Sequence, residues 1–593
     1  MTHEQIVMCS IILLILGLFS WGRWRYDVVA LIGLVTCSIF KIVPEQMIFS
    51  GFGHPATFTV ALVLIVSTAL SKSGAASMMA GVLAPLQTSP GLHSSALLVL
   101  AAFLSMFMNN IGALALLMPV AIQASRALRQ SPSKILMPLS FASILGGLVT
   151  LIGTPPNIII AGFRQEASGL PFTMFDFTPV GGIIAGCGLC FLCFFRHYFM
   201  PTHKTNDTDM DPFQIESYLF QVRLTEKSLL IDKTIKEAEE ILAPFNLEII
   251  SIITNEKHYT IVRSHHVLSL EDMVLVEGAQ DDIKQLIHQY QLSLVPADTN
   301  HTILHSSHTD TIEVVIAPGS QLNRRFVGQV GFRSRYHVNL LGLHRAGVTH
   351  RGRLNKFLLN IGDVLLIHGE REYITQAISR LNCLPLKARS LSFVHRPQAI
   401  LAMSIFAVGL FMAALGFVSL YTSLILIVIS FVLGRILPIR ELYQGVDWSV
   451  LILLGAMIPV GQALESTGLT TLLANGLLSH SAGFPDWVLL GIIMFVTMMI
   501  SDVLNNAATA ILMAPIAIAV AQGIGASIDP FLMCVAVGAS CSFLTPIGHQ
   551  NNALVMGPGG YKFWDYWPLG LPLEVIILVV SLPIVRIVWP LYP

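Results

Sequence analysis

Charged residues are scarce in this chain. Asp, Glu, Lys and Arg make up 12% of its 593 residues, whereas 54% are hydrophobic and the mean hydropathy is +0.70. Soluble domains contain about 25% charged residues. The scarcity therefore excludes a fully soluble protein and predicts an integral membrane protein with a smaller soluble part. The net charge of −1 gives no electrostatic reason to expect a nucleic-acid partner.

Motifs that would indicate several other functions are missing. The soluble part contains no G-x-G-x-x-G run, so we expect neither dinucleotide binding nor an organic cofactor. No phosphate loop or nucleophile–base constellation is present, and an enzyme is not expected. The eight cysteines are scattered. Their closest set, Cys187, Cys190 and Cys193, lies in an apolar run, where packing in a membrane helix explains it better than a metal.

Two asparagine pairs interrupt long apolar stretches. The pairs Asn109-Asn110 and Asn505-Asn506 are 396 residues apart, and a proline follows ten residues after the first asparagine of each pair. An unsatisfied polar group in lipid costs several kcal/mol, so asparagines inside a membrane segment are expected to have polar partners or a function. Matching polar interruptions in two halves of a membrane protein indicate the midplane site of a transporter.

The apolar stretches form two matching series. A membrane span needs about 20 apolar residues. The first series predicts spans at 6–21, 28–44, 57–75, 135–163 and 178–199, and the second predicts spans at 398–415, 418–435, 449–465, 530–556 and 571–591. One further stretch in each series is long enough to enter the membrane and return to the same side, and an asparagine pair interrupts it near its middle. We interpret these stretches, 92–126 and 487–521, as re-entrant hairpins.

Local similarity supports a repeat. The run ALSKSG resembles ALESTG near the same place in the second half, and Thr154-Pro155 recurs as Thr545-Pro546 at an offset of 391. Five spans per half is an odd number, which places the two copies in opposite orientations. Such an inverted repeat is typical of secondary transporters. We therefore predict an α-helical polytopic membrane protein with inverted repeats.

Basic residues indicate the orientation. Lys and Arg clusters follow the first span, the first hairpin and the fifth span, and they flank the sixth and seventh spans. All of them fall on one side if the N-terminus is outside, and cytoplasmic loops carry an excess of these residues. We expect a multi-pass protein of the plasma membrane with residues 205–390 in the cytoplasm.

The segment between the halves contains its own repeat. LSLEDMVLVEG at 268–278 parallels LNIGDVLLIHG at 359–369, at an offset of 91. Each copy predicts a strand, a short helix, a strand, a hairpin and a closing helix, and a polar linker is expected near 290–308. The predicted division is a first membrane half at 1–200, two small α+β domains at 208–295 and 305–388, and a second membrane half at 396–593.

The interruptions offer the chemistry that ion-coupled transport needs. A cation in a dry membrane needs oxygen ligands, and carbonyls freed where a helix unwinds supply them. Pro155 and Pro546 interrupt the span after each hairpin, and irregular backbone at this depth is tolerated only where it lines a cavity. Asparagine amides add an acceptor for a cation and a donor for an anion. Helix N-termini are partly positive and favour the anion.

These considerations define a candidate site. The candidate substrate ligands are the hairpin tips and the interrupted spans, namely Asn109, Asn110, Asn505, Asn506, Thr154, Pro155, Asn157, Thr545 and Pro546. The candidate Na⁺ ligands are Ser105, Asn110, Gly153, Ser501, Asn506 and Gly548. Asp502 and His549 are coupling candidates, because ionisable groups within a membrane are functional by default. Interhelical packing of the asparagines, back-bonding of the serines and packing of His549 remain as alternatives.

The same residues carry a resemblance to a known family. TPIGHQNNALVMGPGGYKFWDYWPLG, which begins at Thr545, is similar to the C-terminal signature of the divalent anion:sodium symporter family, and IGTPPN is similar to its first-half loop. The middle repeats resemble the C-terminal module of regulator-of-K⁺-conductance proteins, the TrkA-C type. The resemblance implies an elevator-type carrier, usually a homodimer, that moves sulfate or a dicarboxylate with Na⁺. It also implies a small ligand on the inserted modules.

The hairpin tips depart from that family. Dicarboxylate carriers have Ser-Asn-Thr at each tip, whereas this chain has Asn-Asn-Ile and Asn-Asn-Ala, centred on Asn110 and Asn506. The missing hydroxyls would donate to substrate oxygens, which favours a small oxyanion over a dicarboxylate. The alternative function is a K⁺ channel or K⁺ uptake subunit gated by the soluble modules. That alternative requires a filter such as T-x-G-Y-G, which is absent.

Overall fold

The fold was described from a computed structural model. It covers residues 1–21, 24–75, 78, 90–127, 130–200, 219–386 and 396–592, except for the gaps at 226–227, 243–247, 255–256, 260–266, 271, 278–285, 287–288, 291, 296–308, 346–347, 351–353 and 481–483. Two sets of apolar helices flank a pair of β-sheets in the sequence.

The two helical halves follow the same order. The first half consists of His3–Trp21, Tyr26–Ile39, Pro55–Lys72, Pro90–Ser105, Asn110–Ala127, Ser133–Gly147, Pro155–Ser168 and Thr178–Phe199. The second consists of Arg396–Ala414, Leu420–Leu433, Ile439–Gln444, Trp448–Ser466, Leu469–His480, Asp486–Ser501, Asn506–Gly523, Ile528–Ser540, Gln550–Gly559 and Trp567–Val588. The sequence did not predict the helix Leu469–His480. The corresponding stretch of the first half lies largely outside the described residues.

Six helices in the described part of the chain are long and apolar enough to cross a membrane. They are Pro55–Lys72, Thr178–Phe199, Pro397–Ala414, Trp448–Ser466, Asn506–Gly523 and Phe563–Val588. Shorter apolar helices make up most of the rest of both halves. The predicted spans 135–163 and 530–556 are each divided in two, because proline and glycine interrupt the backbone where the sequence predicted a break.

Each half contains one hairpin and one broken helix. The first hairpin is Pro90–Ser105 with Asn110–Ala127, and the second hairpin is Asp486–Ser501 with Asn506–Gly523. The first broken helix is Ser133–Gly147 with Pro155–Ser168, and the second broken helix is Ile528–Ser540 with Gln550–Gly559. Each hairpin packs against the broken helix that follows it.

Small residues allow this close packing. A Cβ on Gly146 would lie 2.1 Å from the carbonyl oxygen of Ala102, and a Cβ on Gly538 would lie 2.9 Å from that of Met494. The broken helices can therefore touch the hairpin backbone only with glycine at these positions. The close approach brings the two unwound segments, 148–154 and 541–549, to the hairpin tips.

Two antiparallel sheets of five strands lie between the halves. The first contains β1 Leu219–Arg223, β2 Glu248–Thr254, β3 Lys257–Tyr259, β4 Met273–Glu277 and β5 Ser293–Val295, in the order β3-β2-β4-β1-β5. The second contains β6 Thr309–Ile316, β7 Val338–Arg345, β8 Val348–His350, β9 Val364–Glu370 and β10 Cys383–Pro385, in the order β10-β6-β9-β7-β8. Read from β8 to β10, the second order matches the first strand for strand.

The sequence repeat shared by the two sheets includes an aspartate that closes the same turn in each. Asp272 accepts a hydrogen bond from the backbone N–H of Ser269 at 2.7 Å, and Asp363 accepts one from Asn360 at 2.8 Å. Each aspartate thus closes the turn before an inner strand, β4 or β9. Asp363 also binds the guanidinium of Arg345 through both of its oxygens, at 2.7 and 2.6 Å.

Two details of the predicted sheets were wrong. Ser293–Val295, assigned to a polar linker, forms β5 and pairs with β1. The final strand of the second copy, β10, was not predicted either. Strands of three residues pair through backbone groups, so they leave little apolar pattern in the sequence. The helix Arg371–Leu381 lies where the second closing helix was predicted, whereas most of its predicted counterpart lies outside the described residues.

The second sheet shares the core of the membrane halves. One continuous buried apolar cluster joins both halves, and it includes residues from the second sheet and the segment after it, namely Val315, Leu341, Val364, Leu366 and Leu386. Each sheet also has a separate core of its own. The second sheet is therefore packed directly against the helices that carry the candidate site.

Candidate functional site

The first asparagine of each pair caps a helix. The side-chain oxygen of Asn109 accepts a hydrogen bond from the N–H of Ile111 at 3.4 Å, and that of Asn505 accepts one from Ala507 at 3.0 Å. Asparagine is among the preferred residues at this position, because its oxygen satisfies an N–H that the helix leaves free. Both asparagines are half-buried. Within the described residues their NH₂ groups form no hydrogen bond and remain available as donors.

The second asparagine of each pair binds a serine of its own hairpin. The hydroxyl of Ser105 donates to Oδ1 of Asn110 at 2.6 Å. The hydroxyl of Ser501 lies 3.1 Å from Oδ1 of Asn506 and 2.6 Å from the carbonyl oxygen of Ala539, which is in another helix. In the described part of the chain, neither serine hydroxyl binds a carbonyl of its own helix, so the back-bonding alternative is wrong for both.

Further oxygens surround these contacts. The hydroxyl of Ser143 lies 3.2 Å from that of Ser105 and 2.8 Å from the carbonyl oxygen of Asn110. In the second half, the hydroxyl of Ser542 lies 3.3 Å from Oδ1 of Asn506. Each hairpin tip therefore carries a compact set of hydroxyl and amide oxygens, of the kind that binds a hard cation.

Glycines bring the unwound segments against these oxygens. A Cβ on Gly147 would lie 2.4 Å from Oδ1 of Asn110, and a Cβ on Gly153 would lie 2.5 Å from the carbonyl oxygen of Gly147. A Cβ on Gly548 would lie 2.6 Å from the carbonyl oxygen of Ser501. The predicted glycines Gly153 and Gly548 thus lie beside the two tips.

One asparagine holds the backbone of each unwound segment. The NH₂ group of Asn157 donates to the carbonyls of Gly147 and Thr150 at 3.4 and 2.9 Å. The NH₂ group of Asn552 donates to the carbonyls at 542 and 545, both at 3.1 Å. Asn157 was predicted as a substrate ligand, but these contacts assign its NH₂ group to holding the break open.

The hydrogen bonds correct the predicted alignment of the two breaks. The Thr150 hydroxyl donates to the carbonyl of Met106, and the Thr545 hydroxyl donates to the carbonyl of Asp502. The two threonines are 395 residues apart and make equivalent contacts, so Thr545 corresponds to Thr150 rather than to Thr154. The dipeptide Thr-Pro misled the comparison because it occurs at different points of the two unwound segments.

At the corrected offset, Thr154 corresponds to His549. Each residue is the N-cap of the second half of its broken helix. Pro155 begins the helix after Thr154, whereas Pro546 lies within the second unwound segment. The Nδ1 atom of His549 accepts a hydrogen bond from the N–H of Asn551 at 3.1 Å. The Thr154 hydroxyl is buried without a hydrogen-bond partner in the described residues, so it remains free for a ligand.

The tip of the first half meets the break of the second half. The amide nitrogen of Asn110 lies 3.2 Å from Nε2 of His549, which is 439 residues away in the sequence. The NH₂ group of Asn551 donates to the backbone carbonyl of Asn110 at 3.3 Å. The side-chain oxygen of Asn551 is buried without a hydrogen-bond partner in the described residues. Two helix N-termini and the side chains of Asn110, His549 and Asn551 thus converge from opposite halves.

A carboxyl pair lies behind the second tip. Asp502 accepts from the N–H of Leu544 and Glu574 accepts from the N–H of Phe543, both at 3.1 Å. The two carboxyl groups thus bind adjacent backbone N–H groups, and Oδ2 of Asp502 is buried without a hydrogen-bond partner in the described residues. The sequence indicated Asp502 but missed Glu574, because Glu574 lies in a different helix and only the fold brings it close.

Three other contributors were not predicted. Ser143 and Ser542 lie in apolar stretches where small polar residues are common, so they had no sequence signal of their own. The repeated pair Asn551-Asn552 could have indicated Asn551, because it lies within the family-like run that contains His549.

The chain matches a known protein family over most of its length. The family model described as "CitMHS: Citrate transporter" matches residues 16–538. The chain belongs to the citrate transporter family. This membership and the helical fold make it a multi-pass membrane transporter, and they favour a carrier over the K⁺ channel alternative.

Individual relatives of this citrate transporter family member are also transporters. An uncharacterized transporter of Synechocystis sp. is 29% identical over 98% of this chain and 97% of its own length. Sodium/sulfate cotransporter 2 of Chlamydomonas reinhardtii is 24% identical over 57% of this chain and 40% of its own length. Sodium-dependent high-affinity dicarboxylate transporter 3 of Caenorhabditis elegans is 29% identical over 25% of this chain and 26% of its own length.

We expect the substitution Asn157→Asp to destabilise the protein. The aspartate would present an oxygen to the carbonyls of Gly147 and Thr150 in place of a donor, leaving buried acceptors without partners. Each such loss costs about 1–3 kcal/mol. Thermal unfolding of the purified protein should show a lower midpoint than the wild type. The exposed Asn475 provides the control, and an equal loss in Asn475→Asp would contradict the assigned role.

Proposed function

We propose that this protein moves a small divalent anion across the plasma membrane together with Na⁺, by an elevator-type movement. The contact between Asn110 and His549 carries this proposal. It joins the polar tip of one half to the unwound segment of the other, as expected of a midplane site formed at the interface of two repeats. The two hairpins are proposed to be re-entrant, and the protein to be a homodimer.

The substrate anion would be bound by neutral donors and helix ends. Asn109 and Asn505 offer NH₂ groups, and the Thr154 hydroxyl has no partner among the described residues. The helix that begins at Asn110 and the helix that begins after His549 start close to each other. Helix N-termini attract anions through their free N–H groups and their dipoles. The hydroxyls found at the tips of dicarboxylate carriers are absent, which supports a compact oxyanion such as sulfate. The family description also makes citrate a necessary test substrate.

Two oxygen sets are proposed to bind the coupled cation. The first consists of Ser105, Ser143 and the amide oxygen of Asn110, and the second consists of Ser501, Ser542 and the amide oxygen of Asn506. Gly153 and Gly548 let the unwound backbone approach each set and offer carbonyl ligands. Hard cations prefer such oxygen ligands. The names of the sodium-dependent relatives support Na⁺ as the ion.

The inserted sheets are proposed to be cytoplasmic, TrkA-C-like modules that regulate transport by binding a small ligand. A backbone contact supports this coupling. A Cβ on Gly362, in the turn before β9, would lie 2.4 Å from the carbonyl oxygen of Ala553. Ala553 lies in the same half-helix, Gln550–Gly559, whose N-terminus contacts Asn110. A movement of the second sheet would therefore be transmitted along one rigid helix to the binding site.

Uptake into proteoliposomes tests the proposal. Labelled sulfate, succinate and citrate should be offered separately, with and without an inward Na⁺ gradient at constant pH. We expect one of these anions to accumulate only with the Na⁺ gradient. Accumulation driven by a pH gradient alone would assign the coupling to the Asp502–Glu574 pair instead. Conduction of Rb⁺ without any anion uptake would contradict the carrier.

A further inference from the structure

A cavity lies at the base of the first hairpin, away from the candidate site. Its volume is about 130 Å³, several times the ~10–15 Å³ that one water needs. It is lined from the ends of four helices, and the polar side chains around it include those of His93, Ser94, Ser125, Lys134, Arg196 and His197. The described residues of this lining supply basic and hydroxyl groups and no carboxylate.

The central feature of this cavity is a buried arginine. Arg196 is only 3% exposed, and its Nη1 atom has no hydrogen-bond partner in the described residues. Its Nη2 atom donates only a long hydrogen bond, at 3.5 Å, to the carbonyl of Gly91. An arginine is always charged, and burying it without a partner is costly. Among the described residues, no carboxylate lines the cavity to compensate this charge.

Other positive charge converges on the same space. Lys134 lines the cavity together with Arg196 and the imidazole of His197. Neither Lys134 nor Arg196 forms an ion pair within the described residues. The first turn of Pro90–Ser105, with Gly91, His93 and Ser94, also lines the cavity and adds the partial positive charge of a helix N-terminus.

We propose that this cavity binds a phosphate group. A guanidinium matches two phosphate oxygens at once, an ammonium adds a point charge, and helix N–H groups bind a remaining oxygen. The phosphate could belong to an anionic lipid headgroup or to a free phosphate in solution, and both share this chemistry. When bound, it would connect the base of the first hairpin to the helix Thr178–Phe199. This inference does not depend on the identity of the transported anion.

The test uses the full-length protein in two arms. In the first arm, thermal unfolding is measured in lipid-depleted neutral detergent with inorganic phosphate or with chloride at equal ionic strength. In the second, the protein is reconstituted with phosphatidylcholine alone or with added phosphatidic acid, and retained lipid is measured by native mass spectrometry. The variants are Lys134→Gln and Arg196→Met. The control is Arg586→Gln. Arg586 is an exposed basic residue in the last turn of Trp567–Val588, the helix of the second half that corresponds to Thr178–Phe199.

The expected result is that the phosphate group stabilises the wild type and Arg586→Gln, with binding at least about tenfold weaker in Lys134→Gln, since charge-assisted hydrogen bonds are the strong ones. A response to inorganic phosphate identifies a free anion, and retention of phosphatidic acid alone identifies a lipid headgroup. The response should persist in Asn110→Ala, which separates it from the proposed transport site.

Two outcomes would overturn the proposal. One is that neither arm distinguishes Lys134→Gln from Arg586→Gln. The other is that Arg196→Met loses the same stability with and without phosphate, because that result would make Arg196 a purely structural residue. If the proposal is right, Arg196→Met should be at least as stable as the wild type without phosphate and should not respond to it.

Discussion

Replacing Asn110 by alanine is expected to reduce anion uptake by about 100-fold, which corresponds to about 2.7 kcal/mol. The substitution removes the acceptor of the Ser105 hydroxyl and the partner of His549 at once. Each buried polar group left unpaired costs about 1–3 kcal/mol. Initial rates of labelled anion uptake, normalised to inserted protein, measure the effect. Asn506→Ala should reduce uptake as well, through the loss of its contact with Ser501.

The control for these substitutions is Asn475→Ala. Asn475 is an exposed asparagine in the helix Leu469–His480, outside both tips, so its replacement should leave uptake within about twofold of wild type, as for most surface substitutions. Comparable losses in Asn110→Ala and Asn475→Ala would show that the tips have no special role. The Na⁺ dependence should also shift in Asn110→Ala, because Oδ1 of Asn110 belongs to the first oxygen set.

Replacing Gly557 by alanine is expected to separate the second sheet from the membrane helices. A Cβ at this position would lie 1.6 Å from the carbonyl oxygen of Gly362, so one of the two backbones must move. Gly362 has a φ of +85°, a conformation that glycine adopts without strain. We expect uptake to change at least about tenfold, or ~1.4 kcal/mol. Hydrogen exchange at residues 359–363 should increase.

Two controls separate regulation from local damage in Gly557→Ala. Gly186→Ala places a Cβ where no atom lies within 4 Å, so it should have little effect. In a chain with residues 205–390 deleted and the halves rejoined, the clash is absent, and Gly557→Ala should leave uptake unchanged. An equal loss in the deleted and full-length proteins would assign the effect to the half-helix itself. Only monodisperse, membrane-inserted protein is compared.

Local features made much of the architecture predictable. The asparagine pairs lie at helix starts because asparagine caps helices, and the spans break near Pro155 and Pro546 because proline cannot continue a helix. The aspartates Asp272 and Asp363 close equivalent turns, so the repeat within the sheets was visible at an offset of 91. The two breaks were misaligned because the alignment relied on one Thr-Pro dipeptide that occurs in both. The correct alignment depends on hydrogen bonds, which the sequence does not display.

The sequence by itself determined that this chain is a membrane protein of two similar halves, with polar interruptions at matching places. Hydrophobicity, capping and proline act on neighbouring residues, so they leave a readable pattern. Only the tertiary structure decided that Asn110 meets His549, that Asp502 and Glu574 bind adjacent backbone N–H groups, and that the turn at Gly362 rests on the half-helix Gln550–Gly559. These contacts join residues tens to hundreds of positions apart in the chain, and they depend on how whole helices pack.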